Sequence, residues 1–122
     1  MESTDGTLRK AEELGRLVGQ TTEYKALVRA RERIESEEEV ADAIRALADL
    51  EDRLAAALRR GETPDEATTR EYEETFADLQ AHPAYQGLVA AQANFDKVMA
   101  AVNTAIARGM DSGARSGIIL PS

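Results

Sequence analysis

Seven residues limit what this chain can fold into. Tyr85, Leu88, Gln92, Phe95, Met99, Val102 and Ile106 follow one another at steps of 3, 4, 3, 4, 3 and 4. That spacing lines side chains up in one row along an α-helix, here with Gln92 as its polar position. Ala91, Val98 and Ala105 widen the row on one flank. An apolar stripe of this length has to be buried against another element, so the rest of the chain must supply partners for it.

A second row, Val40, Ala43, Leu47, Leu50, Leu54 and Ala57, is broadened by Ile44 and Leu58. It predicts a helix over 37–60, about 36 Å long at ~1.5 Å per residue. Ser36-Glu37-Glu38-Glu39 reads as the capping box that opens it, and Arg59-Arg60-Gly61 as its stop. The two long helices, about 37–60 and 84–108, are expected to lie antiparallel as a coiled-coil-like pair crossing at roughly 20°. Leu47, Leu50 and Leu54 on one helix form the predicted core and oligomer seam with Tyr85, Leu88, Gln92, Phe95, Val98, Met99, Val102 and Ile106 on the other. Gln92 has two readings: a polar residue at the seam edge with its amide in solvent, or a buried glutamine that fixes register or oligomer state.

Three further helices complete the pattern. Leu8, Ala11, Leu14, Leu17 and Val18 share one side of a helix from Thr7 to about Gly19, with Arg9–Glu13 and Glu12–Arg16 pairs outside. After a break at Gln20-Thr21-Thr22, where a threonine can accept from free N–H groups, a helix over 22–35 presents Tyr24, Leu27, Ala30 and Ile34. Thr63-Pro64-Asp65-Glu66 reads as another capping box, opening a helix over 64–80 that rests on Tyr72, Phe76 and Leu79. Ala81-His82-Pro83 breaks that helix and starts the last one, which Gly109 is expected to end. With no alternating apolar run to suggest a strand, the fold class is all-α, a five-helix bundle forming a single domain over 1–109. The tail, 110–122, is then either flexible or a docking strip built on Ile118-Ile119-Leu120.

Composition narrows the function. A 122-residue chain that is 43% hydrophobic but only 4% aromatic leaves apolar surface uncovered, which favours a homodimer or higher oligomer. A net charge of −8 disfavours broad nucleic-acid binding. The absence of cysteine removes disulfides, thiolate nucleophiles and cysteine-held metal clusters. The opening residues lack a signal-peptide pattern, and no apolar run approaches the ~20 residues of a membrane span, so a cytoplasmic protein is expected.

Residues able to carry chemistry are sparse. His82, the single histidine, has Asp78 four residues before it, but its place ahead of a proline suits a capping role. Metal-bridged bundles need Glu-x-x-His pairs from two helices, which are missing, and no cofactor is expected. Glu37–Glu39 and Glu71-Tyr72-Glu73-Glu74 sit at helix starts and outer faces, where carboxylates are solvated rather than poised for acid–base work. Gly109, Gly113 and Gly117 have no strand before them to make a phosphate cradle, and Ser112 and Ser116 have no base.

Ala11-Glu-Glu-Leu14-Gly-Arg-Leu17 leads to Thr22-Glu23-Tyr24-Lys25, a helix ending at Ile34, and the acidic segment 36–39. His82-Pro83-Ala84-Tyr85 and Ala91-Gln-Ala-Asn-Phe95 follow, then Val102-Asn103-Thr104-Ala105-Ile106. In order and spacing this resembles the YlbF/YmcA family of small all-helical bacterial proteins, which includes YheA-like members, over about 8–108. The resemblance implies a non-enzymatic regulator that works by binding proteins. Members of the YlbF and YmcA type act with YaaT in a complex that influences RNA processing by RNase Y, and through it competence, sporulation and biofilm formation. The iron–sulfur clusters associated with that complex are cysteine-held and do not carry over to a cysteine-free chain.

The expected function is therefore a helical regulatory or scaffold protein that self-associates and shows an acidic surface to an unidentified protein partner. Two alternatives belong to other classes: an RNA-associated protein using the Arg29–Arg33 strip, or a bundle holding a small molecule in a cavity around Phe95 and Met99.

Overall fold

The computed structural model describes residues 2–119, with side chains over 4–115. Five helices follow one another: α1 (Glu2–Gly19), α2 (Thr22–Ser36), α3 (Glu38–Arg59), α4 (Glu66–Ala81) and α5 (Pro83–Ile119). There is no strand among the described residues.

Each junction has a local cause. Between α1 and α2, Thr21 accepts from the Tyr24 N–H at 3.1 Å through Oγ1, and donates the same hydroxyl to the Val18 carbonyl at 2.7 Å. One side chain thus caps the new helix and closes the old one. Between α3 and α4, Gly61 takes φ +73°. The Gly61 N–H then donates to the Leu58 carbonyl at 3.0 Å, and the Glu62 N–H to the Ala57 carbonyl at 2.9 Å. This paired closure needs a left-handed residue, which glycine adopts without steric cost.

Both expected capping boxes form differently. Ser36 stays in the last turn of α2 and donates to the Arg33 carbonyl, so Glu37 precedes α3 without a side-chain cap. Asp65, not Thr63, precedes α4, and its carboxylate accepts from the Thr68 hydroxyl at 3.2 Å. Ahead of α5, His82 Nδ1 accepts from the Ala84 N–H at 3.2 Å, the capping role its position suggests.

Packing departs from the expected pairing of the two long helices. α5 lies chiefly along α2, and α3 chiefly along α4. The face of α2 carrying Tyr24, Leu27 and Ala30 meets α5, with the Tyr24 and Phe95 rings 5.3 Å apart at 59°. The short 60–65 turn holds α3 and α4 together. The first turns of α5 still reach the α3–α4 pair: Ile34, Val40, Leu47, Leu79 and Ala84 form the buried cluster, with Tyr72, Phe76, Tyr85 and Leu88 packed around it.

α5 also continues to Ile119, ten residues past the stop expected at Gly109. A glycine inside a helix costs ~1 kcal/mol relative to alanine but does not force a break. Gly109 has no positive φ, and Asp111 pairs with Arg115 at 2.6 Å just beyond it. Of the proposed docking strip, Leu120 lies outside the described residues, as do the side chains of Ile118 and Ile119.

Two substitutions test these assignments. Gly61→Val is expected to destabilise the fold by about 1–2 kcal/mol, the cost of a left-handed β-branched residue. Leu79→Ala, at a site 2% exposed, should cost about 2–5 kcal/mol. Urea unfolding followed by helix circular dichroism measures both.

Candidate interaction surfaces

The predicted seam residues separate into three environments. Leu47 and Leu50 are buried within the chain's own core. Leu54, Tyr85, Leu88, Gln92, Phe95, Val98, Met99 and Val102 are half-buried. Ile106 is 43% exposed. The row on α5 is therefore half-covered as far as Val102 and bare at Ile106.

Helix lengths explain the gradient. α2 has 15 residues and α5 has 37, or about 22 Å against about 55 Å at ~1.5 Å per residue. The two run antiparallel: Ala84, Gly87 and Ala91 border a groove with Arg33 and Ala30, whereas Val98 and Ala101 border one with Thr22 and Ala26. Past Val102 the row is exposed, at Ile106 and Met110. α1 leaves the body at this same end, with Leu8 and Leu17 exposed.

Gln92 sits at the edge of the α2–α5 contact. Its Nε2 donates to Asp96 at 2.9 Å, and its Oε1 accepts from Arg31 at 3.4 Å. This matches the seam-edge reading, not a buried register-fixing amide. The arginine strip is partly engaged: Arg31 holds Gln92, and Arg33 Nε lies 3.3 Å from Glu37 Oε2. Phe95 packs against the tilted ring of Tyr24 instead of facing a cavity. His82 turns Nε2 toward Glu37, 3.9 Å away and beyond hydrogen-bond reach, and makes no bond to Asp78. Among the described residues no group of three His, Asp or Glu side chains is placed to hold a metal ion, and no helix is long and apolar enough to cross a membrane.

Charge is divided unevenly, a feature that local motif reading passes over. Residues 38–81, the α3–α4 hairpin, hold thirteen carboxylates and five arginines, a net −8. Elsewhere ten carboxylates face ten lysines and arginines, a net of zero. The whole imbalance thus lies in the hairpin, where Glu71, Glu73, Glu74 and Asp78 are exposed on α4. Beside them Phe76, Tyr85, Val89 and Ala93 line an open apolar groove between α4 and α5.

A family profile described as "Control of competence regulator ComK, YlbF/YmcA" matches residues 7–111. No curated protein matches the chain. Among solved structures, Bacillus subtilis RicA, crystallised in complex with RicF, superposes with a TM-score of 0.71 at 16% identity, covering 88% of this chain and 96% of that one. At that identity the likeness shows a shared fold.

Burial predicts opposite outcomes for two leucines of α3. Leu47→Asp should abolish cooperative unfolding, because it buries an unpaired charge in the central cluster. Leu58→Asp, at a site 66% exposed, should change stability by about 0.5 kcal/mol or less. Thermal denaturation of the two variants distinguishes them.

Proposed function

The chain belongs to the YlbF/YmcA family, and we propose that it is a non-enzymatic helical adaptor that self-associates and binds a further protein through its acidic hairpin. Competence control is the family's description. The family resemblance extends the reading to regulation of RNA processing, with effects on sporulation and biofilm formation. RicA is itself found in complex with RicF, which supports a role exercised by association with other chains. The reading also places the protein in the cytoplasm.

The observation that carries the proposal is the division of the surface. One lobe holds the entire net charge of −8, and the opposite end holds exposed Leu8, Leu17, Ile106 and Met110 on a background of zero net charge. A single-sign field of this kind speeds encounter with a basic surface and repels nucleic-acid phosphates. The groove of Phe76, Tyr85 and Val89 beside α4 adds apolar area for such a partner to cover. Arg29, Arg31 and Arg33 stand among Glu32, Glu35 and Glu37, which leaves little free positive potential for RNA.

The test is affinity purification of the tagged chain from its native cells, compared with a Glu71→Lys, Glu73→Lys, Glu74→Lys variant of unchanged helicity. A stoichiometric protein partner is expected with the native chain, reduced at least tenfold by the variant and by high salt. Retention of RNA instead, lost on changing the three α2 arginines to glutamate, would overturn the reading.

A further inference from the structure

The groove between α4 and α5 sets an apolar strip along the edge of the acidic lobe. Phe76 of α4 lines it with Tyr85, Val89, Ala90 and Ala93 of α5, and no lining residue is charged, in a chain that is 31% charged. Gln80 and Gln86 close the end where the two helices join, the Gln86 amide donating to the Gln80 carbonyl at 2.8 Å. Val89 is 51% exposed, and between Leu58 and Ile106 no other large apolar side chain is left so bare.

The rim at the other end carries charge of one sign. Glu73 stands three residues before Phe76 and seven before Gln80, on the same stripe of α4. Asp96 stands three residues after Ala93 and seven after Val89, on the same stripe of α5. Both are exposed. Asp96 accepts from the Gln92 amide and meets no cation. No carboxylate of α4 enters an ion pair among the described residues, whereas α3 ties Asp42 to Arg45 and Asp49 to Arg53. Lys97 borders a different groove, with Thr22 and Ala26 of α2.

Shape and charge together select an occupant. From Gln86 to Ala93 the groove runs about 10 Å, two helical turns at ~1.5 Å per residue. A valley between two antiparallel helices takes a third helix by interleaving side chains. A helix also brings no unpaired backbone groups to an apolar strip. An extended segment has no sheet edge to pair with among the described residues. Nucleic acid or an anionic lipid surface would set negative charge against the rim carboxylates.

We infer that the α4–α5 groove docks an amphipathic basic helix of a partner protein, its apolar face on Phe76, Tyr85 and Val89 and its cations at Glu73 and Asp96. The inference names the partner chemistry for the acidic-hairpin reading above and rests on it.

The probe is a fluorescent helical peptide of ~16 residues, with leucine on one face and lysine and arginine on the others, read by anisotropy. Two control peptides have the same length: one scrambles the order so that the leucines share no face, the other carries glutamate in place of every cation. The native chain is expected to bind the probe and neither control. Val89→Glu, at an exposed site, should keep native helicity and weaken binding about tenfold, although it adds a carboxylate that an acidic field alone would favour. Glu73→Lys combined with Asp96→Lys should weaken binding comparably and flatten its salt dependence. Leu58→Glu, exposed on α3 outside the groove, should bind as the native chain does. If the scrambled peptide binds equally, or Val89→Glu binds as tightly as the native chain, the groove is wrong and docking on the acidic hairpin stands. Preference for the glutamate peptide, or no binding of the probe by the native chain, also overturns the groove inference; the adaptor reading fails separately, when purification retains no protein. A native dimer that excludes the probe, with Val89→Glu monomeric, would give the groove to a second copy instead.

Discussion

A long helix laid against a short one sets the terms for the rest of this molecule. α2 can bury only the part of α5 that it reaches, and within that span the packing is well made. Leu27 is 1% exposed, Ala91 lies buried beneath α2, and the Tyr24 and Phe95 rings meet tilted at 59°. Two small residues on α5, Ala84 and Ala91, are buried beside Ala30 of α2. Beyond Val102 the same apolar row continues into exposed Ile106 and Met110. The hydrophobic effect does not distinguish a partner in the chain from one outside it.

The α3–α4 hairpin is stabilised against its own charge by two means. Its apolar side joins Ile34, Ala84, Tyr85 and Leu88 in one cluster, so separating the hairpin from the body exposes that core. Its outer side ties carboxylates to arginines within α3: Asp42 to Arg45, and Asp49 to Arg53 at 2.6 Å. Exposed pairs of this sort contribute little each. They offset local repulsion without removing the field of the lobe, and they leave α4, with Arg70 as its one cation, strongly acidic.

Helix identity was legible in the sequence wherever a 3,4 row ran for several turns, as it did in α3 and α5. Gly61 was legible because two arginines and a glycine after an apolar row leave few other options. The partner of each row was not legible. The rows of α3 and α5 are the longest and look matched, but pairing is decided by connection length and by which small residues admit a neighbour. The 60–65 turn fastens α3 to α4, and the small side chains of Ala84 and Ala91 are buried where α5 meets α2. Capping motifs misled for a related reason: Ser36 has a choice between opening α3 and closing α2, and the Arg33 carbonyl wins its hydroxyl. Gly109 was read as a stop because a glycine after an apolar row ends many helices, but nothing beyond it forces the chain to turn. The acidic lobe appeared only when charges were summed over a structural unit instead of along local motifs.

Placing the charged hairpin at one end of α5 and the bare row at the other has a consequence for stoichiometry. Two copies joined about a twofold axis, as the self-association proposal would have it, would make a bivalent particle that offers the same acidic docking face twice. Two basic sites on one assembly, if spaced to suit, would be gripped together, and the second engagement would proceed at the high effective concentration set by the first. Binding strength would then depend on the spacing between the two faces as much as on any contact within a single one.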